Sequence, residues 1–185
     1  NMTVLAPADE EELRLMTRTS CAFDGPCSIR YPKSAVSLPE GYSVSSFEIG
    51  KWLTLREGTD AVILAVGSMV ATALRVAEAL AQDGISLTVV NASTVKPLDM
   101  ERLRRVFEME RPIFTLEERM AGFGSSVLEA ASEMGFQPRV KLLAVDDYFV
   151  PHGDHAHLLR DTGLDDESVI RTIRTELNRE ESTNV

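Results

Sequence analysis

From Thr59 onward, short apolar runs with strand character alternate with stretches of helical periodicity, and this alternation constrains the fold more than any other feature of the chain. Runs at 61–66, 86–91, 112–116 and 140–145 read as strands, and the segments 71–82, 100–108 and 125–133 between them read as helices. Successive strands joined through a helix pair in parallel, and a parallel sheet must be covered on its faces. The expected fold class is therefore α/β, a mainly parallel sheet of four strands covered by helices. Two further helices are expected at 155–162 and 166–179, the second with Val169, Ile173 and Leu177 on one face, before a polar tail at 180–185 expected to fray.

Upstream lies a smaller piece of the same kind. Residues 2–7 read as a short apolar strand, Asp9 as a helix N-cap, and Glu10, Glu11 and Glu12 as a first turn matched to the positive end of the helix dipole. Asp24-Gly25-Pro26 stops that helix ahead of a second strand at 27–31. Such a unit is too small to fold alone, and its abrupt apolar start reads as a chain cut from something larger. Residues 34–58, with Pro, Gly and Ser throughout but Phe47, Ile49, Trp52 and Leu53 for packing, read as an irregular linker laid on the second domain. The expected division is thus a truncated domain end at 1–33, a linker at 34–58 and an α/β domain at 59–185.

Charge narrows the partners. With 19 Lys and Arg against 29 Asp and Glu, the net charge is −10, which disfavours binding to nucleic acid, since polyanions are held by clustered basic residues. No apolar run approaches the roughly 20 residues needed to span a bilayer, and no leader pattern opens the chain, so the expectation is a soluble, cytoplasmic protein without membrane contact. Cys21 and Cys27 then read as reduced thiols.

Ala6-Pro7-Ala8-Asp9, Ile29-Arg30-Tyr31-Pro32-Lys33 and Ile49-Gly50-Lys51, in that order, are similar to segments of the 1-deoxy-D-xylulose-5-phosphate synthase family of the transketolase superfamily. Ile29-Arg30-Tyr31-Pro32-Lys33 resembles the arginine-tyrosine-proline-arginine segment that closes that family's pyrimidine-binding domain. Ala6-Pro7-Ala8-Asp9 precedes it and Ile49-Gly50-Lys51 follows it as they do in the family. The last domain adds Val66-Gly67-Ser68, Val95-Lys96-Pro97-Leu98-Asp99, Glu117-Glu118 with Gly122-Phe123-Gly124-Ser125, Phe149-Val150-Pro151-His152-Gly153 and Thr162-Gly163-Leu164-Asp165. Transketolase proper and the E1 beta-type subunits of 2-oxo-acid dehydrogenases share the domain plan and are the runners-up, together with the binding chain of a split transketolase-like enzyme.

The resemblance implies a transketolase C-terminal-like domain in a homodimer. It also implies a full-length enzyme that uses thiamine diphosphate and magnesium to join pyruvate to glyceraldehyde 3-phosphate, supplying isoprenoid and thiamine synthesis. The cofactor-binding and catalytic residues of the family belong to parts not matched here, so no catalytic, cofactor or metal residue is expected in this chain, which alone is expected to be inactive. Two substrate-binding candidates remain. In the family the second arginine of the matched segment contacts the substrate phosphate; Lys33 stands there, keeping the charge but losing the planar fork. Arg30 is the other; the bland readings are a solvated base for Lys33 and an ion pair with Glu11 or Glu12 for Arg30.

Three further groups invite chemistry and have plainer explanations. His152, His155 and His157 could suggest zinc, but a Pro-His-Gly turn with a histidine capping contact accounts for them. Gly122-Phe123-Gly124-Ser125-Ser126 opens a helix without a dinucleotide fingerprint and reads as a tight turn. Glu117 and Glu118, at a strand end with no nucleophile or His nearby in sequence, read as capping and interdomain contacts rather than an acid and base pair.

Overall fold

The computed structural model describes residues 1–33 and 35–183. Along the chain it forms β1 (Thr3–Leu5), α1 (Glu10–Ala22), β2 (Cys27–Ile29), β3 (Leu53–Arg56), β4 (Ala61–Ala65), α2 (Met69–Ala81) and β5 (Leu87–Asn91). There follow β6 (Thr94–Lys96), α3 (Met100–Glu108), β7 (Ile113–Met120), α4 (Gly122–Met134), β8 (Val140–Val145), α5 (His155–Asp161) and α6 (Asp166–Thr183).

The main sheet has the order β3-β5-β4-β7-β8; β5, β4, β7 and β8 are parallel and β3 closes one edge antiparallel to β5. Every residue of β4 is buried, and alternation divides it between two cores. Ala61, Ile63 and Ala65 face α2 and α6, where Leu74, Val169 and Ile173 pack. Val62 and Leu64 face α3 and α4, where Leu103, Phe107, Phe123 and Val127 pack. A sheet covered on both faces reads as a continuous apolar run, which is why residues 61–66 show no polar alternation.

Two strands lie outside the expected four. The segment 34–58 is not irregular throughout: Leu53-Thr54-Leu55-Arg56 forms edge strand β3, with Leu55 packed on the core and Leu53 half exposed. Just beyond β5, Thr94–Lys96 turns away as β6 and pairs antiparallel with β1, which also pairs in parallel with β2. The first unit therefore shares a three-stranded sheet, β2-β1-β6, with the second.

Helix bounds shift modestly. α2 and α4 begin earlier than expected, at Met69 and Gly122, and α6 runs through Thr183 into the tail expected to fray. Residues 184–185 of that tail lie outside the described residues. Among the described residues no helix is long and apolar enough to cross a membrane.

Candidate functional site: the switch-point cleft

From β4 the chain reaches β5 on one side of the sheet, then crosses back through α3 to β7 on the other. The carboxyl ends of β4 and β7 therefore diverge in their connections, and parallel sheets bind ligands in the crevice at such a point. Here the crevice is a cleft of about 220 Å³ lined by Val66-Gly67-Ser68 after β4, by Glu117-Glu118-Arg119 at the end of β7, and by Arg30-Tyr31-Pro32 after β2. It opens beside a wider groove of about 970 Å³, where Val95, Leu98, Met120, Phe123 and Val150 give an apolar lining.

The carboxylates of the cleft are held by the protein. Glu117, 4 % exposed, accepts from the N–H groups of Phe123 at 3.2 Å and Gly124 at 2.9 Å, so its side chain caps α4 from the adjoining strand. Burial pushes its carboxyl up, opposed by those two N–H donors and by Arg30 and Arg119. Glu118 accepts from Ser68 Oγ at 2.9 Å and meets His155 Nε2 at 2.5 Å, tying the start of α2 to the start of α5. Capping and cross-element contact are thus what this acidic pair does.

Arg30 enters the cleft from the end of β2. It pairs with neither Glu11, which bonds Arg14 at 3.3 Å, nor Glu12, which is buried against Asn91. Burial first, and the like charge of Arg119 second, lower the pKa of its guanidinium, with Glu117 opposing. Lys33 is exposed and lines a different cleft of about 320 Å³ beside Asp9, Glu10 and Tyr31. The two substrate-binding candidates are therefore not brought together; Tyr31 and Pro32 stand between them and line both clefts.

The histidines are dispersed in role. His155 meets Glu118, His157 lies 3.5 Å from Asp161 within α5, and the cap of α5 is Asp154, accepting from Ala156 N–H at 3.1 Å, rather than a histidine. Among the described residues no group of three or more His, Cys, Asp or Glu is placed to hold a metal ion. Sequence reasoning passed over Arg119 and Glu12. The first is one more base after two acids at a strand end; the second reads as one of three exposed first-turn acids, although its place on the inner face beside Met16, also buried, was a usable signal.

The doubly covered sheet and its switch point agree with the sequence comparisons. A family model for the transketolase C-terminal domain matches residues 50–169. The chain belongs to the transketolase C-terminal domain family. It is 41% identical over 177 residues to 1-deoxy-D-xylulose-5-phosphate synthase of Shouchella clausii, covering 94% of this chain and 28% of that protein. It is 38% identical over 186 residues to the synthase of Geobacillus thermodenitrificans, covering 98% and 30%. The chain thus spans under a third of the length of these curated relatives. Among solved structures, a split-gene transketolase described as an inactive beta4 tetramer superposes with a TM-score of 0.85 at 33% identity, covering 96% of this chain and 57% of that one.

For a transketolase C-terminal domain, the family-like segments now have physical roles. In Val95-Lys96-Pro97-Leu98-Asp99, Asp99 caps α3 by accepting from Arg102 N–H at 2.9 Å and also accepts from Trp52 N–H at 2.8 Å. In Thr162-Gly163-Leu164-Asp165, Gly163 turns at φ +72° so that Leu164 reaches the core. These are folding devices.

Proposed function

We propose that this chain is the C-terminal portion of a 1-deoxy-D-xylulose-5-phosphate synthase, an enzyme that condenses pyruvate with glyceraldehyde 3-phosphate. The observation that carries the reading is similarity at about 40% identity along nearly the whole chain to proteins of that name. On this reading residues 1–33 close a pyrimidine-binding domain, 34–58 connect, and 59–185 form the C-terminal domain.

Thiamine diphosphate supplies the carbanion-stabilising chemistry of such an enzyme. On this reading the magnesium and diphosphate site lies in the remainder of the full-length protein. What this chain contributes is packing of its domain, a homodimer contact, and cationic groups, Arg30 and Lys33, for the anionic end of the acceptor. Self-association and inactivity of the isolated chain draw support from the related split-gene transketolase whose chain is described as an inactive tetramer. That same relative favours a second reading, a non-catalytic chain of a split enzyme. We place the protein in the cytoplasm.

The test is formation of 1-deoxy-D-xylulose 5-phosphate from pyruvate and glyceraldehyde 3-phosphate by this chain and by the full-length product of its gene. Activity of the full-length product alone is the expected result. Inactivity of both, with activity restored by a second chain, would establish the split-enzyme reading instead.

A further inference from the structure

We propose that Glu12 is a proton-operated latch on the seam between the first unit, residues 1–33, and the main sheet, closed while its carboxyl is protonated and opening as that proton leaves. The seam is narrow. β1 pairs with β6 through Val4↔Lys96 and Leu5↔Thr94, Ala6 N–H donates to Ser93 C=O at 2.9 Å, and the Glu12 carboxyl spans the join. It accepts from Ala8 N–H at 2.6 Å on its own side and from Asn91 Nδ2 on β5 at 2.9 and 3.0 Å.

The groups that face this carboxyl are neutral or negative. Ala8 N–H from the β1–α1 turn, Asn91 from β5 and Ser93 from the β5–β6 turn carry no charge, and Asp9 at the head of α1 adds a like one. Buried Glu117, by contrast, has Arg30 and Arg119 to oppose its burial. At Glu12 a proton is therefore what removes the charge in place, and once the proton leaves, only water can stabilise the carboxylate. The seam is the easiest place to admit that water: the first unit buries little of its own, whereas β3 to β8 and α2 to α6 keep both cores when it swings away. Burial pushes the carboxyl up to about 7 from 4.5, so closure is fully favoured below 4.5, weakens as pH rises, and levels off above about 7. Opening carries off Arg30, Tyr31 and Pro32, one wall of the switch-point cleft. The latch rests on burial and packing alone and stands apart from the synthase reading.

The experiment is amide hydrogen exchange of this chain by NMR from pH 5 to 8, read as protection factors so that the intrinsic pH dependence of exchange is divided out. Ala6, bonded to Ser93 C=O, and Arg30, bonded to Leu5 C=O at 2.8 Å, report the first unit; Val62 and Val66, bonded to Pro112 and Leu116 C=O, report the main sheet. Ala6 and Arg30 should be about tenfold or more less protected than Val62 and Val66 throughout, and their protection should fall about fiftyfold from pH 5 to 8. Glu12→Gln, neutral at every pH, should abolish the fall, whereas Asp9→Asn, which keeps the cap acceptor for Glu12 N–H, should retain it. Equal protection of the two pairs of amides would mean that the seam parts only with the whole fold; that result, the absence of a fall, or the same fall in Glu12→Gln would each overturn the proposal. If Glu12→Gln does not fold, the carboxyl carbon resonance of Glu12 in the parent chain decides, with titration near 7 supporting the latch and titration near 4.5 overturning it.

Discussion

Glu12 is the residue whose chemistry departs furthest from its sequence context. Its neighbours Glu10 and Glu11 are exposed and bond Arg14, whereas Glu12 is 1 % exposed. Its carboxyl accepts from Ala8 N–H at 2.6 Å and from Asn91 Nδ2 at 2.9 and 3.0 Å. Burial, aided by the charge of Asp9, pushes it up to about 7, against the Ala8, Asn91 and Ser93 hydrogen bonds. Asn91 Oδ1 is buried without a hydrogen-bond partner, and a protonated Glu12 offers the missing donor once the amide is turned. Between its ordinary value of 4.5 and about 7 the folded protein holds a proton that the unfolded chain has released. The Glu12 contribution to stability is therefore full below 4.5 and is lost as pH rises through about 7. The shift corresponds to about 3 kcal/mol. Denaturant unfolding at pH 5 to 8 should show Glu12→Gln gaining on the parent chain by an amount of this order as pH rises; a difference independent of pH would mean an ordinary carboxylate.

Glycines at the element scale separate a packing requirement from a backbone requirement. At Gly58, just before β4, an added Cβ would lie 2.3 Å from the Leu87 carbonyl carbon, and backbone cannot rotate away. Gly58 also exchanges hydrogen bonds with Thr88 Oγ1, and its carbonyl accepts from Arg111 Nη1 at 2.7 Å. Gly58→Ala should cost about 3 kcal/mol or more by forcing β4 and β5 apart. Gly84, with φ +82° and open space where a Cβ would go, should cost only about 1–2 kcal/mol on the same change. Equal shifts in urea midpoint would show that close approach is not what Gly58 provides. The strands flanking these glycines were legible because β4, β5, β7 and β8 are wholly or partly apolar runs separated by helical periods. β3 and β6 were not, because three or four residues cannot establish a period and their pairing is decided by distant partners, Asn91 for Leu53 and Val4 for Lys96.

The whole molecule is two sheets with one seam. β1 joins β6 through Val4↔Lys96 and Leu5↔Thr94, Ala6 N–H donates to Ser93 C=O at 2.9 Å, and Glu12 meets Asn91. Arg30 could be picked from sequence as a candidate by its segment, but Arg119, which lines the same cleft, could not. Arg119 is 89 positions away and is set there by the β4–β7 pairing, which local pattern does not encode. Lys33 was chosen by the same segment and lies in another cleft, with Tyr31 and Pro32 lining both. The seam also makes the two units unequal in what they need. β3 to β8 and helices α2 to α6 all lie after residue 33, with both cores nearly complete, whereas the first unit buries little beyond Leu5, Ala8 and Met16 on its own. A chain lacking residues 1–33 should therefore still unfold cooperatively, followed by emission of Trp52, which is buried on Phe123 and donates from Nε1 to Thr94 C=O at 2.8 Å. Its urea midpoint should fall, since Ala92, Val95 and Asn91 lose their cover, and the excised peptide 1–33 should be unfolded by circular dichroism. Loss of any cooperative transition in the shortened chain would instead make β1-α1-β2 part of the folding nucleus of the sheet, with the seam an obligatory step in folding rather than a docking contact.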